Sequence, residues 1–178
     1  GGFIGSHLVR GLCAAGAKVR VLDNFSHGSR DNLLGDGLDQ VEIIEGDIRN
    51  PADCQRAVRD CAIVFHLAAL GSVPRSVEEP LLYNDVNING TLNILEAARE
   101  SRGVLKTSGV QRVVYSASSA AYGDTPVLPK IETMTPAPKS PYAVTKLVGE
   151  YVFRRRRVLR QAAARSGKRM APPTQGSA

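Results

Sequence analysis

The chain has 178 residues, 43% of them hydrophobic and 22% charged, which suits one globular domain with a sizeable core. No apolar run approaches the roughly 18 residues that a membrane span needs, so no membrane partner is expected. The net charge of +6 is local: residues 151–178 hold eight basic groups and no acid, so the 15 basic and 17 acidic groups of residues 1–150 sum to −2.

The basic groups of that end are not interleaved with aromatics and map onto no nucleic-acid module, so nucleic acid is not an expected partner either. Cys13, Cys54 and Cys61 are odd in number, form no Cys-x-x-Cys pair and have no histidines at zinc spacing. They read as reduced thiols of a cytoplasmic protein, with neither a disulfide nor a metal site expected.

In chain order, "GGFIGSHLVRGL" opens as the second half of a phosphate-cradling loop, with Phe3 and Ile4 between Gly2 and Gly5. Residues 6–15 read as a helix with Ile4, Leu8 and Leu12 on one stripe and Gly16 placed to stop it. "KVRVLD" (18–23) alternates like a strand and ends on Asp23; "VEIIEGD" (41–47) is a second strand; "PADCQRAVRD" (51–60) is a helix opened by proline. "AIVFHLAA" (62–69) is continuously apolar, the pattern of a strand buried on both faces. Residues 81–101 read as one long helix, 112–119 as another buried strand, and Ser140-Pro141 as the cap and first turn of a last helix. Alternating strands and helices imply a parallel sheet with helices on both faces. From about residue 154 the character changes: a basic helical start gives way to Pro, Gly and Ser without periodicity, and a frayed or disordered end is expected.

Three constellations carry chemistry. A glycine-rich helix start offers free N–H groups and a positive dipole end to a pyrophosphate, although many such starts bind nothing. Asp23 follows Gly5 by 18 positions, close to the spacing of a carboxylate that bonds adenosine ribose hydroxyls, and an acid there favours NAD over NADP. In "SPYAVTK", Tyr142 and Lys146 lie four apart and share a helix face. A tyrosine acting as a base near neutrality must lose about 3 pKa units, roughly 4 kcal/mol, and a neighbouring ammonium supplies most of that. Ser118 stands 24 positions before Tyr142 at the carboxyl edge of the sheet, where a hydroxyl can donate to a substrate oxygen; Ser116, Ser118 and Ser119 serve equally well as loop hydrogen-bonding groups.

With these residues in this order, the chain resembles the extended short-chain dehydrogenase/reductase family, and within it the UDP-hexose and UDP-N-acetylhexosamine 4-epimerases. "VLDNFSHGSRDNL", "EGDIRN", "VFHLAALGSVPRSVEEP", "NINGTLNILEAA" and "SPYAVTK" all read like that group, and "ALGSVPRS" with "LPK" points to the N-acetylhexosamine branch. The resemblance implies a Rossmann-like doubly wound parallel sheet over residues 1–153. It implies NAD held by Gly2, Phe3, Ile4, Gly5, Asp23, Asn24, Asp47, Ile48, Leu67, Ala68, Ala69, Tyr142 and Lys146. A UDP-sugar would meet Gly71, Ser72, Ser118, Ser119 and Tyr142, with Ser118, Tyr142 and Lys146 catalytic and Asn87 either supporting the site or packing its helix. A homodimer through helices 81–101 and 141–153 is implied as well.

Measured against that family, the first strand, the first loop glycine and the C-terminal substrate domain are missing, and "ESRGVLKTSGVQR" is an overlong connection, expected as a surface loop. The chain therefore reads as an internal fragment of a longer gene, its tail consistent with reading out of frame. A dehydratase or decarboxylase of the same family is the enzymatic alternative, weakened because "SSAAY" places no acid after Ser118. A non-catalytic nucleotide-binding module is the other.

Overall fold

The computed structural model describes residues 1–35, 37–101 and 109–166, the stretch 154–166 as backbone alone. In chain order the elements are α1 (Phe3–Ala14), β1 (Arg20–Asp23), β2 (Glu42–Glu45), α2 (Pro51–Val58), β3 (Ile63–His66), α3 (Val73–Glu78), α4 (Pro80–Asn84), a π turn (Asp85–Asn89), α5 (Gly90–Glu100), β4 (Arg112–Tyr115) and α6 (Pro141–Ser166). Short 3-10 turns cover Arg30–Leu33 and Ser119–Tyr122.

The strands form two parallel pairs. β1 pairs β2 with Val21 opposite Ile43, and β3 pairs β4 with His66 opposite Tyr115. The pairs are not joined to each other; a slot lies between the free edges of β1 and β3, with Val21, Leu22, Val64 and Phe65 on its walls.

Strand alternation assigns the helices to two faces. Val21 and Ile43 pack with Val9 of α1 and with Leu33 and Leu38 in one cluster. Leu22, Val64 and Val113 pack in the other cluster, where α2 (Cys54, Val58) meets α5 (Ile94, Ala97, Ala98). Gly90 allows that contact, since a Cβ there would sit 2.5 Å from Ile48 Cδ1. Helices thus cover opposite faces of a parallel α/β fold, as the strand and helix pattern predicts.

Two expectations are corrected. The run 62–69 is not a strand buried on both faces: Ile63 is 50% and Phe65 37% exposed, because their side of the second pair carries no helix among the described residues. Ile4, Leu8 and Leu12 do share one stripe, and it lines the slot, with Ile4 65% exposed. The long helix 81–101 is interrupted by the π turn, which adds one residue to a helical turn and aims Asn87 inward.

Cys54 is buried and its thiol is pushed up to about 11 by burial, with neighbouring aspartates adding to the shift. α6 continues as helix to Ser166, so the basic helical start read after residue 154 extends the last helix over 154–166. The connection 102–108 and the end 167–178 lie outside the described residues. No helix among the described residues is long and apolar enough to cross a membrane.

Candidate functional site

The last helix begins as its sequence dictates. Ser140 caps it, its Oγ accepting the Ala143 N–H at 3.1 Å, and Pro141 occupies the first turn. Tyr142 and Lys146 follow one turn apart on the same face. Lys146 is 4% exposed, and its Nζ lies 4.6 Å from the centroid of the Tyr115 ring at the end of β4. Burial pushes the amine down to about 8 while Glu150 pushes back, so it remains largely protonated near pH 7.

Three further residues hold this helix in place. Asn87, 1% exposed, accepts the Leu70 N–H at 2.8 Å and donates to the Leu70 carbonyl (3.1 Å) and to Thr145 Oγ1 (3.0 Å). Thr145 Oγ1 donates in turn to the Tyr142 carbonyl at 2.7 Å. The turn after β3 is thereby tied to the helix that carries Tyr142. Beside this brace, Thr91 Oγ1 donates to the Asn87 carbonyl at 2.6 Å, so it must accept from His66 Nε2 at 2.8 Å. Burial, helped by the Lys146 charge, pushes His66 down to about 4 and keeps it neutral.

Ser118 caps the 3-10 turn after β4, its Oγ accepting the Ala120 N–H at 3.2 Å. Oγ is the acceptor in that bond, which leaves its O–H to donate elsewhere. The same turn, beginning at Ser119, packs against α6. Ser72 caps α3, accepting the Arg75 N–H, and its own N–H donates to the buried Tyr83 hydroxyl at 3.1 Å, which fixes the Gly71–Ser72 turn.

At the first strand pair, Gly2 is the N-cap of α1 without a side-chain cap, and the places where Cβ atoms would stand at Gly2 and Gly5 are open. The first-turn N–H groups of α1 are thus accessible to an anion. Asp23 accepts from the Gly1 ammonium at 2.7 Å and from the Phe25 N–H at 2.8 Å. Asn24 Nδ2 donates to Asp47 at 3.0 Å. The Arg49 guanidinium, bonded to Asp47, holds that carboxyl down at about 2.

The slot and the crevice at its carboxyl end form one cavity of about 1350 Å³. That exceeds the usual ligand pocket because it runs the length of the strands, from Ala17 and Cys61 at one end to Asp23 and His66 at the other. Its wall includes Gly2, Phe3, Ile4, Gly5, Asp23, Asn24, Asp47, Ile48, Leu67, Ala68 and Ala69. Gly71, Ser72, Ser118, Ser119, Tyr142 and Lys146 are not on it; they gather around α3, the 3-10 turn and α6. An uncapped helix N-terminus, open glycines and a carboxylate at the next strand end fit a dinucleotide.

Comparison with known proteins agrees with this geometry. The NAD dependent epimerase/dehydratase family is matched over residues 1–164. The chain belongs to that family. UDP-glucose 4-epimerase of Mycolicibacterium smegmatis is 40% identical over 153 residues, covering 84% of this chain and 46% of that protein. Among solved structures, UDP-N-acetylglucosamine 4-epimerase from Methanobrevibacter ruminantium, in complex with UDP-N-acetylmuramic acid, superposes with a TM-score of 0.76 at 39% identity, over 86% of this chain and 46% of that one. Thermus thermophilus UDP-glucose 4-epimerase, in complex with NAD, does so with a TM-score of 0.75 at 40% identity, over 85% and 47%. The chain spans about half the length of these family members.

Sequence reasoning did not single out His66, Thr91, Tyr115 or Thr145. One signal was available for two of them: a lone polar residue inside an apolar run, as at His66, or on the inner side of a helix, as at Thr145, needs a buried partner.

Proposed function

We propose that the chain carries the cofactor-binding and proton-transfer half of a nucleotide-sugar 4-epimerase acting on a UDP-hexose or UDP-N-acetylhexosamine. The carrying observation is the arrangement on α6: Tyr142 in its first turn, Lys146 buried one turn on, and Ser118 on the neighbouring 3-10 turn. NAD, when bound, would supply a reversible hydride acceptor for sugar C4. The α1 N-terminus would hold the pyrophosphate, Asp23 the adenosine ribose, Asn24, Asp47 and Ile48 the adenine end, and Leu67–Ala69 the stretch toward the nicotinamide.

Tyr142 as phenolate accepts the proton of the sugar 4-hydroxyl, then returns it when the 4-keto sugar has turned over. Lys146 would stabilise the phenolate by its charge and would hold the nicotinamide ribose. Ser118 donates to the oxygen being oxidised, and Gly71, Ser72 and Ser119 contact the sugar nucleotide. The absence of an acid in 119–122 favours epimerisation over dehydration, which needs a positioned proton donor. The implied homodimer contact falls on α4–α5 and α6, where Leu81, Val144 and Tyr151 are exposed.

The test is interconversion of UDP-glucose and UDP-galactose, and of their N-acetyl forms, by the complete protein. Tyr142→Phe is expected to retain NAD and lower kcat by about 10²–10⁴-fold. A Tyr142→Phe protein that binds NAD and epimerises at the full rate would falsify the reading.

A further inference from the structure

A lysine 4% exposed has lost most of its hydration, and something other than water must hold its charge. The Lys146 ammonium lies over the face of Tyr115, 4.6 Å from the ring centroid, well inside the range at which an aromatic face attracts a cation. The ring is fixed from three directions. Phe153 stacks on it at 4.9 Å with 24° between planes; its hydroxyl donates to the Lys146 carbonyl at 3.3 Å; and Gly149 leaves the space its edge occupies, since a Cβ there would collide with the Tyr115 hydroxyl. A surface tyrosine needs none of these supports.

We propose that Tyr115 is a positioning residue whose ring face holds the Lys146 ammonium through a cation–π contact, keeping that charge one helical turn from Tyr142. The inference rests on the roles assigned above to Tyr142 and Lys146. The titratable groups that meet around the amine are Tyr115 of β4, His66 of β3, and Tyr142 and Glu150 of α6 itself; α4 and α5, with the π turn between them, bring the neutral Asn87 and Thr91 to this brace. His66 is neutral near pH 7, so it competes for no charge there. Glu150 and the ring both favour the protonated amine against the opposing effect of burial.

The test titrates Lys146 directly in the 178-residue chain, by the NMR shift of ¹³C-labelled lysine side chains, the signal being assigned by its loss in Lys146→Arg. Tyr115→Phe keeps the face and loses only the hydroxyl bond, so the lysine should titrate within a few tenths of a pH unit of the original. Tyr115→Leu should lower its titration point by roughly half to one and a half pH units. If Tyr115→Leu does not fold, mono-, di- and trifluorinated phenylalanines at position 115 preserve the shape while draining the π face. The titration point should then fall stepwise with fluorine count. A flat fluorination series, or a lysine that titrates at the same or higher pH in Tyr115→Leu, overturns the proposal. Because the readout involves neither NAD nor turnover, that result leaves the epimerase reading standing, and a failed epimerase assay leaves the lysine titration interpretable.

Discussion

The two strand pairs solve the same packing problem differently. β1–β2 sends Val21 and Ile43 into one cluster and Leu22 into the other, so both faces rest on apolar partners. β3–β4 is two-sided in another sense. One face carries Val64, Val113, His66 and Tyr115 against α5 and α6, tied by buried polar groups; the other presents Ile63, Phe65 and Val114 to solvent. Precision is therefore concentrated on the face that holds Tyr142 and Lys146, where hydrogen bonds fix direction as well as distance. Apolar packing dominates the first pair, with polar ties such as Arg20 to Glu42 and Asn24 to Asp47 on its exposed rim, and the first turn of α1 stays open.

Several changes would break or sharpen this contrast. Gly149→Ala forces a methyl group into the Tyr115 ring, which Phe153 holds from its stacked side; unfolding in urea should reveal a loss of about 3 kcal/mol. Acid should find the second pair first. His66 is pushed down to about 4 in the folded chain, so the unfolded chain binds more protons between pH 6.5 and 4, and stability falls across that window by up to about 3 kcal/mol. Asp47 is lowered to about 2, so its contribution is present above pH 4 and lost only between about 4 and 2, by about 1 kcal/mol after solvent screening. Urea midpoints across pH 3–7 would separate the windows, and His66→Gln should abolish the upper one only. The smallest effect compares neighbours on one strand: Val113→Ala should cost about 1 kcal/mol, Val114→Ala only a few tenths. Equal losses at the two positions would mean that the outer face is covered in solution.

Much of this was legible in the residues. Gly2, Gly5 and Asp23 gave the crevice at the first pair, and Ser140-Pro141 gave the start of α6 together with the shared face of Tyr142 and Lys146. Such signals are local, because caps, helical spacing and strand ends depend on near neighbours. The exposure of Ile63 and Phe65 was not legible, since a continuous apolar run looks the same whether or not a helix lies over it. Nor was the brace: Asn87 and Thr145 are 58 positions apart, and only the folded chain brings them together. The π turn escaped for a related reason, because "NDVNING" keeps helical composition while its hydrogen bonds shift by one residue.

That extra residue has a consequence for how this stretch can change length. In a helix each residue advances the side chains by about 100°. A plain α-helix that lost one residue would slip by that angle. Deleting one position from Asp85–Asn89 would instead restore ordinary α-helical bonding and keep everything after it in phase, because the π turn already absorbs one residue more than an α turn. Thr91 and Ile94 would go on facing His66 and α2. What such a shortening endangers is the inward aim of Asn87, and with it the tie from the turn after β3 to the helix of Tyr142.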